Sequence, residues 1–190
     1  MEIYLVRHTT PLVEKGICYG QTDLGLADSW PKEFKQLKTL LPKSIDQVYT
    51  SPLQRCTLFA KELSTKPVED KSLLELHFGD WELKAWDDIP KDQLGIWMRD
   101  YVNVTPPGAE PFQNLIERTQ FFLDQIKVNH FEKVALITHA GVIRALLGKV
   151  LGMAPKDYFK LKIDYGSVSK VQFSGSMEVV EYTNRNASNT

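Results

Sequence analysis

Short apolar runs alternate with longer amphipathic stretches along this chain. Residues 3–6, 47–50 and 134–137 are runs rich in β-branched and aromatic side chains, a pattern typical of strands that are buried on both faces. Between these runs, apolar residues recur at intervals of three and four, which indicates amphipathic helices. The alternation predicts an α/β fold built on an open, mostly parallel sheet.

Capping and breaking residues delimit the predicted helices. Ser29 is suited to cap the first helix, and Pro42 is suited to end it. Ser51 and Gln54 have the spacing of a capping box, with Pro52 at the first position of the second helix. Helices are predicted over 31–41, 52–63, 90–101 and 112–128, with a further helix from Val142 onward.

Further extended segments complete the predicted sheet. Val68 and residues 73–76 are expected to be extended. Residues 167–173 and 177–182 are expected to form a hairpin around Gly175. The hairpin would give the sheet an antiparallel edge.

The long connection 80–111 mixes aromatic residues with acids and lysines. Trp81, Trp86, Trp97 and Tyr101 all lie in it. Connections of this length are often lids or binding loops, so the segment is a candidate lid or insert. The simpler interpretation is that at least two of the tryptophans pack a subsidiary core, and the other is that they stack on a flat ligand.

Composition limits the class of protein. The 190 residues suggest one domain over 1–183, and the polar residues 184–190 suggest a disordered tail. A net charge of −1 gives no reason to expect nucleic acid or a membrane surface as a partner, and no apolar segment is long enough to span a bilayer. Cys18 and Cys56 have no metal or disulfide spacing, so reduced thiols and a cytoplasmic location are expected.

Five side chains that can do chemistry come at the ends of predicted elements. Arg7 and His8 follow the first strand, and His139 follows the strand 134–137. In an open α/β sheet, the carboxyl ends of the strands are where reactive groups gather. Arg55 lies in the first turn of a helix whose N–H groups suit an anion. Glu75 is flanked by leucines, and a carboxyl among apolar residues suits a proton donor.

Each of these residues alone has an ordinary explanation. Arg55 could pair with a surface carboxylate, and Glu75 could lie on the wet face of an alternating strand. Together they supply a nucleophile, cations and an acid, the set needed to move a phosphoryl group without a metal. The four histidines include no H-x-x-x-H pair and have no carboxylate cluster beside them, so neither a metal nor a cofactor is predicted.

The ordered motifs resemble those of the histidine phosphatase superfamily, which has the phosphoglycerate mutase-like fold. They are LVRH at 5–8, SPLQR at 51–55, LELHFGDWE at 74–82 and THAGVIR at 138–144. The stretches CYGQTD at 18–23, SPLQRC at 51–56 and FGDWE at 78–82 look most like those of α-ribazole phosphatases. Those enzymes release phosphate from α-ribazole 5′-phosphate during assembly of the cobalamin nucleotide loop. The fold is then expected to be a three-layer α/β/α sandwich.

The resemblance implies a role for each candidate residue. His8 would be the nucleophile that becomes a phosphohistidine, and Glu75 would be the general acid and then the general base. Arg7, Arg55 and His139 would bind the phosphoryl oxygens, with His139 the better candidate for the cationic form. Substrate binding is also expected of three further residues: Thr10, Gly20 and Gln21.

The chain departs from the family pattern just after the nucleophile. Thr9 stands where the superfamily usually has Gly, Thr10 and Pro11 where it has Glu and then Thr or Ser, and Glu14 where Asn is common. These departures leave the secondary phosphate contacts open. The alternatives to an α-ribazole phosphatase are a broad-specificity or sugar-phosphate phosphatase, a phosphoglycerate mutase, and a non-catalytic module that binds phosphorylated ligands. The expected partner is a small phosphomonoester, and the oligomeric state is left open.

Overall fold

One mixed sheet forms the centre of the molecule. The computed structural model describes residues 1–187, and within them six strands pair in the order β3-β2-β4-β1-β5-β6. The strands are β1 (Glu2–Arg7), β2 (Gln47–Thr50), β3 (Val68–Glu69), β4 (Lys133–Thr138), β5 (Val168–Ser174) and β6 (Met177–Arg185). Strands β1 to β4 are parallel to one another, β5 is antiparallel to β1, and β6 is antiparallel to β5. The mostly parallel sheet with an antiparallel edge is therefore confirmed.

Helices cover both faces of this sheet. They are α1 (Trp30–Thr39), α2 (Gln54–Leu63), α3 (Lys91–Arg99), α4 (Phe112–Lys127) and α5 (Ala140–Val150). Ile3 and Leu5 of β1 belong to an apolar cluster that includes residues of α3, α4 and α5, whereas Tyr4 and Val6 belong to one with α1 and α2. Side chains alternate between the faces of a strand, so β1 is buried on both sides. The three-layer prediction is confirmed.

The side-chain caps predicted for the first two helices are wrong. The Ser29 hydroxyl donates to the Glu33 carboxylate instead of accepting a backbone N–H. Helix α2 begins at Gln54 without a side-chain cap. The Ser51 hydroxyl that was expected to cap it lies 2.8 Å from His139 Nε2. In both cases the hydroxyl has a tertiary or side-chain partner, and the local hydrogen bond of Ser51 is a 3.4 Å contact from Leu53 N–H, before α2 begins.

The extended segment predicted at 73–76 is found only in part, because Leu74 is extended but no strand forms there. Lys71–Leu73 forms a single 3₁₀ turn, and the residues after it pair with no strand. The carbonyl oxygens of Ser72 and Leu74 instead accept hydrogen bonds of 2.7 Å from Arg118 Nη1. A side chain of α4 thus takes the place of a neighbouring strand.

At the end of the chain, β6 is longer than the hairpin predicted from the sequence. Asn184 and Arg185, expected to begin a disordered tail, belong to this strand. Residues 188–190 of the predicted tail lie outside the described residues. The hairpin itself, with its turn at Gly175, is confirmed.

Most of the tryptophans of the long connection are structural. Trp81 and Trp97 are 2% and 8% exposed, and their rings pack edge to face at 5.8 Å. The connection is also tied to the first loop, because Cys18 N–H donates to the Lys84 carbonyl and Leu83 N–H to the Cys18 carbonyl. Packing of at least two tryptophans in a core is therefore confirmed, but it is the same apolar cluster as that of Ile3 and Leu5 and not a subsidiary one. Movement of the segment as a lid stays a prediction. No helix within residues 1–187 has the length and apolarity needed to cross a membrane.

Candidate active site

The carboxyl ends of β1 and β4 bring the two candidate histidines together. The strands are parallel neighbours, with Arg7 opposite Thr138, so the residues that follow them share one edge of the sheet. The rings of His8 and His139 meet edge to face with centroids 5.1 Å apart. Both side chains are almost fully buried.

The hydrogen bonds of His8 determine which ring nitrogen can react. Nδ1 lies 2.7 Å from the carbonyl oxygen of Thr9, and a carbonyl can only accept, so Nδ1 carries the hydrogen. In the neutral ring the lone pair is therefore on Nε2. Burial, followed by the positive charges of Arg7 and Arg55, holds the pKa of His8 well below its usual range. His8 is thus an unprotonated imidazole with Nε2 available as a nucleophile.

Arg55 is a buried cation without an acidic partner. It is the second residue of α2 and is fully buried, and its Nη1 and Nη2 donate to the carbonyls of Thr22 and Gly20 at 2.7 and 2.6 Å. No carboxylate lies within ion-pair distance of it in the described part of the chain. The alternative of a surface ion pair is therefore wrong. Gly20 is required here, because a Cβ atom would lie 1.9 Å from the Leu76 carbonyl oxygen.

Arg7 is a second cation held by neutral groups. Its Nη1 donates to the Ile163 carbonyl at 2.6 Å, and its guanidinium carbon lies 3.7 Å from the centroid of the Tyr165 ring. Like Arg55, it has no carboxylate partner among residues 1–187, and the buried Nε atoms of both arginines lack a hydrogen-bond partner. Two uncompensated guanidinium groups beside His8 favour a doubly charged oxyanion such as a phosphoryl group.

His139 is neutral in this environment, contrary to the expectation from the sequence. Burial, followed by the charge of Arg55, keeps the pKa of His139 well below its usual range. Its Nε2 contacts the Ser51 hydroxyl, and its Nδ1 is buried without a partner. A side chain placed among cations does not take up a further positive charge, so His139 is suited to act through a hydrogen bond.

Glu75 is held at the amino end of α5. Both of its carboxyl oxygens lie 3.1 Å from the N–H of Gly141, and Oε1 also accepts from Leu76 N–H at 2.9 Å. Its own carbonyl accepts hydrogen bonds of 3.0 Å from Gln21 and Arg118. The carboxyl group therefore lines the cavity in a fixed position. The alternative, in which Glu75 lies on the solvent-exposed face of a strand, is wrong.

The residues predicted to bind substrate besides the arginines contact other site residues. The Thr10 N–H and hydroxyl both donate to the Glu33 carboxylate, at 2.9 and 3.1 Å. The Gly20 carbonyl holds Arg55, and the Gln21 side chain holds the Glu75 carbonyl. A direct contact of Thr10, Gly20 or Gln21 with substrate stays a prediction.

Two residues that organise the site were missed in the sequence. Arg118 forms a 2.7 Å ion pair with Glu110 and binds the backbone before Glu75, and no motif marks it. Glu82 accepts N–H bonds from Gln21 and Thr22, the turn that holds Arg55. Burial tends to raise the pKa of Glu82, but hydrogen bonds from Thr22 and neighbouring N–H groups lower it overall. Its place in the FGDWE stretch is the sequence feature from which Glu82 could have been recognised as a site residue.

A cavity of about 470 Å³ opens beside these groups. Arg7, His8 and Glu75 lie in its wall, and aromatic rings form much of the rest: Tyr19, Phe78, Trp86, Phe112, Phe159 and Tyr165. Arg144, the last residue of the THAGVIR stretch, adds a further guanidinium, whose Nε donates to the Leu161 carbonyl at 2.9 Å. The cavity therefore combines guanidinium groups with aromatic rings, and the two are in contact, since Arg7 lies over Tyr165 and Arg144 over Phe159.

Comparison with known families identifies the class of this site. A family model described as histidine phosphatase superfamily (branch 1) matches residues 3–186. The chain belongs to this superfamily. The match includes Arg7, His8 and Glu75, which line the cavity, and the buried Arg55 and His139 behind them.

Several of the similar proteins are named as phosphatases. A predicted phosphoserine phosphatase of Hydrogenobacter thermophilus is 28% identical to this histidine phosphatase over 96% of this chain and 95% of its own length. The adenosylcobalamin/α-ribazole phosphatase of Escherichia coli is 24% identical over 98% and 97%. The crystal structure of the α-ribazole phosphatase from Shigella flexneri has the same fold, with a TM-score of 0.89, 23% identity and coverage of 97% and 96%. This histidine phosphatase is a phosphoric monoester hydrolase.

Proposed function

We propose that the protein hydrolyses α-ribazole 5′-phosphate through a phosphohistidine formed on His8. The observation that carries the proposal is the state of His8 itself. Its Nδ1 hydrogen is directed to the Thr9 carbonyl, so the lone pair of Nε2 is available next to Arg7 and Arg55. A nucleophile with two uncompensated cations beside it is suited to attack a phosphate ester.

In the first step, Nε2 of His8 attacks the phosphorus atom and the bond from phosphorus to the ester oxygen breaks. The leaving alkoxide takes a proton from the Glu75 carboxyl group, so the products are a neutral alcohol and phosphohistidine. The guanidinium groups of Arg7 and Arg55 and the hydrogen bonds of His139 stabilise the charge on the equatorial oxygens.

In the second step, the Glu75 carboxylate removes a proton from a water molecule as that water attacks phosphorus. The bond from phosphorus to Nε2 breaks, which releases inorganic phosphate and restores neutral His8 and protonated Glu75. The Gly141 N–H and Leu76 N–H bonds hold the carboxyl group in one place through both steps.

The aromatic lining of the cavity supports α-ribazole 5′-phosphate as the substrate. Phe78, Trp86 and Phe159 are among the lining residues, and rings of this kind pack well against a flat benzimidazole base. The likeness to α-ribazole phosphatases, at 23–25% identity, also supports this choice. The reaction fits the cytoplasmic location that the sequence predicts.

Radiolabelling tests the covalent step. The wild type and His8→Ala are mixed with a phosphate ester labelled on phosphorus and quenched in alkali, where phosphohistidine survives. We expect label on His8 that acid removes, and neither label nor turnover in His8→Ala. Turnover without any label on the wild type would contradict the phosphohistidine, and binding without turnover would indicate the phosphate-binding module.

A panel of esters tests the substrate. We expect the highest kcat/KM for α-ribazole 5′-phosphate, with lower values for O-phosphoserine, glucose 6-phosphate and glycerol 2-phosphate. Equal values across the panel would indicate a broad-specificity phosphatase. Conversion of 3-phosphoglycerate to 2-phosphoglycerate in the presence of the bisphosphate would instead indicate a mutase.

A further inference from the structure

Two loops hold the two arginines of the site. The loop 163–167 binds Arg7, because the Ile163 carbonyl accepts from its Nη1 at 2.6 Å and the Ser167 carbonyl from its backbone N–H at 3.0 Å. The same loop holds His8, whose carbonyl accepts from Gly166 N–H at 3.1 Å. The position of the Arg7 side chain therefore depends on the position of this loop.

The loop 19–22 holds Arg55 in the same manner. The carbonyls of Gly20 and Thr22 accept hydrogen bonds from the two terminal nitrogens of Arg55. The loop is fixed in turn by the Glu82 carboxylate, which accepts N–H bonds from Gln21 at 2.9 Å and from Thr22 at 2.6 Å. The position of Arg55 therefore follows the position of this second loop.

A pair of tyrosines joins these loops across the mouth of the site. The hydroxyl groups of Tyr19 and Tyr165 are hydrogen-bonded to each other, although the residues are 146 positions apart in the chain. The Tyr165 ring lies over the Arg7 guanidinium at 3.7 Å, and the Tyr19 ring is 5.4 Å from the Arg55 guanidinium carbon. Each ring thus contacts the arginine that its own loop holds.

The two guanidinium groups need such a connection because nothing acidic holds them. Like charges repel, and within residues 1–187 neither arginine has a carboxylate that would fix its position. Carbonyl oxygens and aromatic faces orient a guanidinium group without cancelling its charge. The charge then remains available to the ligand, while the distance between the groups depends on the loops.

We propose that the Tyr19–Tyr165 bridge sets the spacing of Arg7 and Arg55 to fit the oxygens of a phosphoryl group in transfer. This inference rests on the proposed function, in which both arginines bind that group. The tyrosines are positioning residues, since they act through the arginines and not on the reacting atoms. The spacing set by the bridge is expected to suit the transition state better than inorganic phosphate. In the transition state, charge is spread over the three equatorial oxygens, and these are the oxygens that the guanidinium donors bind.

A double-mutant cycle tests the bridge. Tyr19→Phe, Tyr165→Phe and the double variant keep both rings and remove only hydroxyl groups. We expect each single variant to lower kcat/KM for p-nitrophenyl phosphate about threefold to tenfold, the effect of one lost hydrogen bond, and the double variant to lose no more than either single one. Inhibition by orthovanadate should weaken by the same factor, and binding of inorganic phosphate by less.

A matched control is Tyr4→Phe, which removes the hydroxyl bonded to Glu2 at 2.7 Å near the other end of β1. It should leave kcat/KM and vanadate inhibition unchanged. Additive losses in the cycle, or unchanged kinetics in both single variants, would overturn the proposal. If the wild type turns over no ester, the same cycle measured by calorimetry with vanadate and inorganic phosphate still decides the role of the bridge, separately from the proposed function.

Discussion

Burial controls the protonation of the central residues of this site. His8 and His139 lie among Arg7, Arg55 and each other, and both burial and these charges oppose a proton on either ring. The sequence places the histidines together but gives no measure of their burial. The neutral state of His139 therefore followed only from the structure.

Stability should fall in acid because of these neutral histidines. In the unfolded chain both histidines bind protons below about pH 6.5, while in the folded protein their lowered pKa values keep them neutral. The unfolded state then binds more protons, so the free energy of unfolding decreases as pH falls below that value and is constant above it. His139→Gln should reduce this slope by at most about 1.4 kcal/mol per pH unit.

Urea unfolding between about pH 5 and about pH 7 measures the slope. His130→Gln, which removes an exposed histidine, is the matched control for the loss of an imidazole. A slope in His139→Gln equal to that of the wild type would show that His139 is not held neutral in the folded protein.

The leaving group should determine the effect of Glu75→Gln. An amide can still accept the Gly141 N–H bond but has no acidic proton to give to the ester oxygen. We expect kcat/KM for glycerol 2-phosphate to fall about a hundredfold or more, the usual contribution of a general acid. The value for p-nitrophenyl phosphate should fall much less, because p-nitrophenolate leaves without a proton. Equal losses on both substrates would reject Glu75 as the acid.

Among the secondary-structure elements, α5 packs closely against the site. The N–H of Gly141 in its first turn contacts Glu75, and a Cβ atom at that position would lie 2.2 Å from Oε1. Further along, a Cβ atom at Gly148 would lie 2.2 Å from the Tyr158 ring. Glycine therefore lets α5 approach both the acid and the 3₁₀ helix Pro155–Lys160.

Two glycine-to-alanine substitutions in helices should have opposite effects. Gly148→Ala forces the buried Tyr158 ring to move, and we expect a loss of about 1–3 kcal/mol in the free energy of unfolding. Gly95→Ala in α3 meets only the end of the Arg99 side chain at 3.9 Å, so the better helix propensity of alanine should add about 0.5–1 kcal/mol. Urea unfolding of both variants checks this, and a neutral Gly148→Ala would contradict the packing argument.

Periodicity predicted the elements well and their ends poorly. The strands at 3–6 and 134–137 were clear because both of their faces are apolar. The helix that contains Arg55 was predicted from Pro52 and the apolar residues that follow, and it begins at Gln54 instead of Pro52. The cap at Ser51 was wrong because the hydroxyl contacts a histidine 88 residues away. The residues 73–76 do not pair as a strand, because Arg118, which is distant in the chain, binds the carbonyls of Leu74 and Glu75. Local patterns contain no information about such partners.

For the molecule as a whole, the connection 80–111 both fills a core and forms one wall of the cavity. Trp97 is buried, so Trp97→Ala should lower the free energy of unfolding by about 3–5 kcal/mol, which urea unfolding measures.

Trp86 stacks on Trp97 at 6.2 Å and also lines the cavity. Trp86→Ala should therefore lower the preference for α-ribazole 5′-phosphate over glycerol phosphate by about tenfold, the value of one stacked ring. Competition kinetics measure this ratio, and an unchanged ratio would remove the stacking interpretation.

The central place of β1 has a consequence for synthesis on the ribosome. This strand is made before both of its neighbours, since it pairs with β4 on one side and β5 on the other, and the Met1 amino group donates to the Phe173 carbonyl 172 residues away. Pairings between such distant segments form slowly, and the nascent chain has to keep an apolar strand unpaired until its neighbours are made. A nascent chain that ends before β4 therefore carries His8 without His139 beside it.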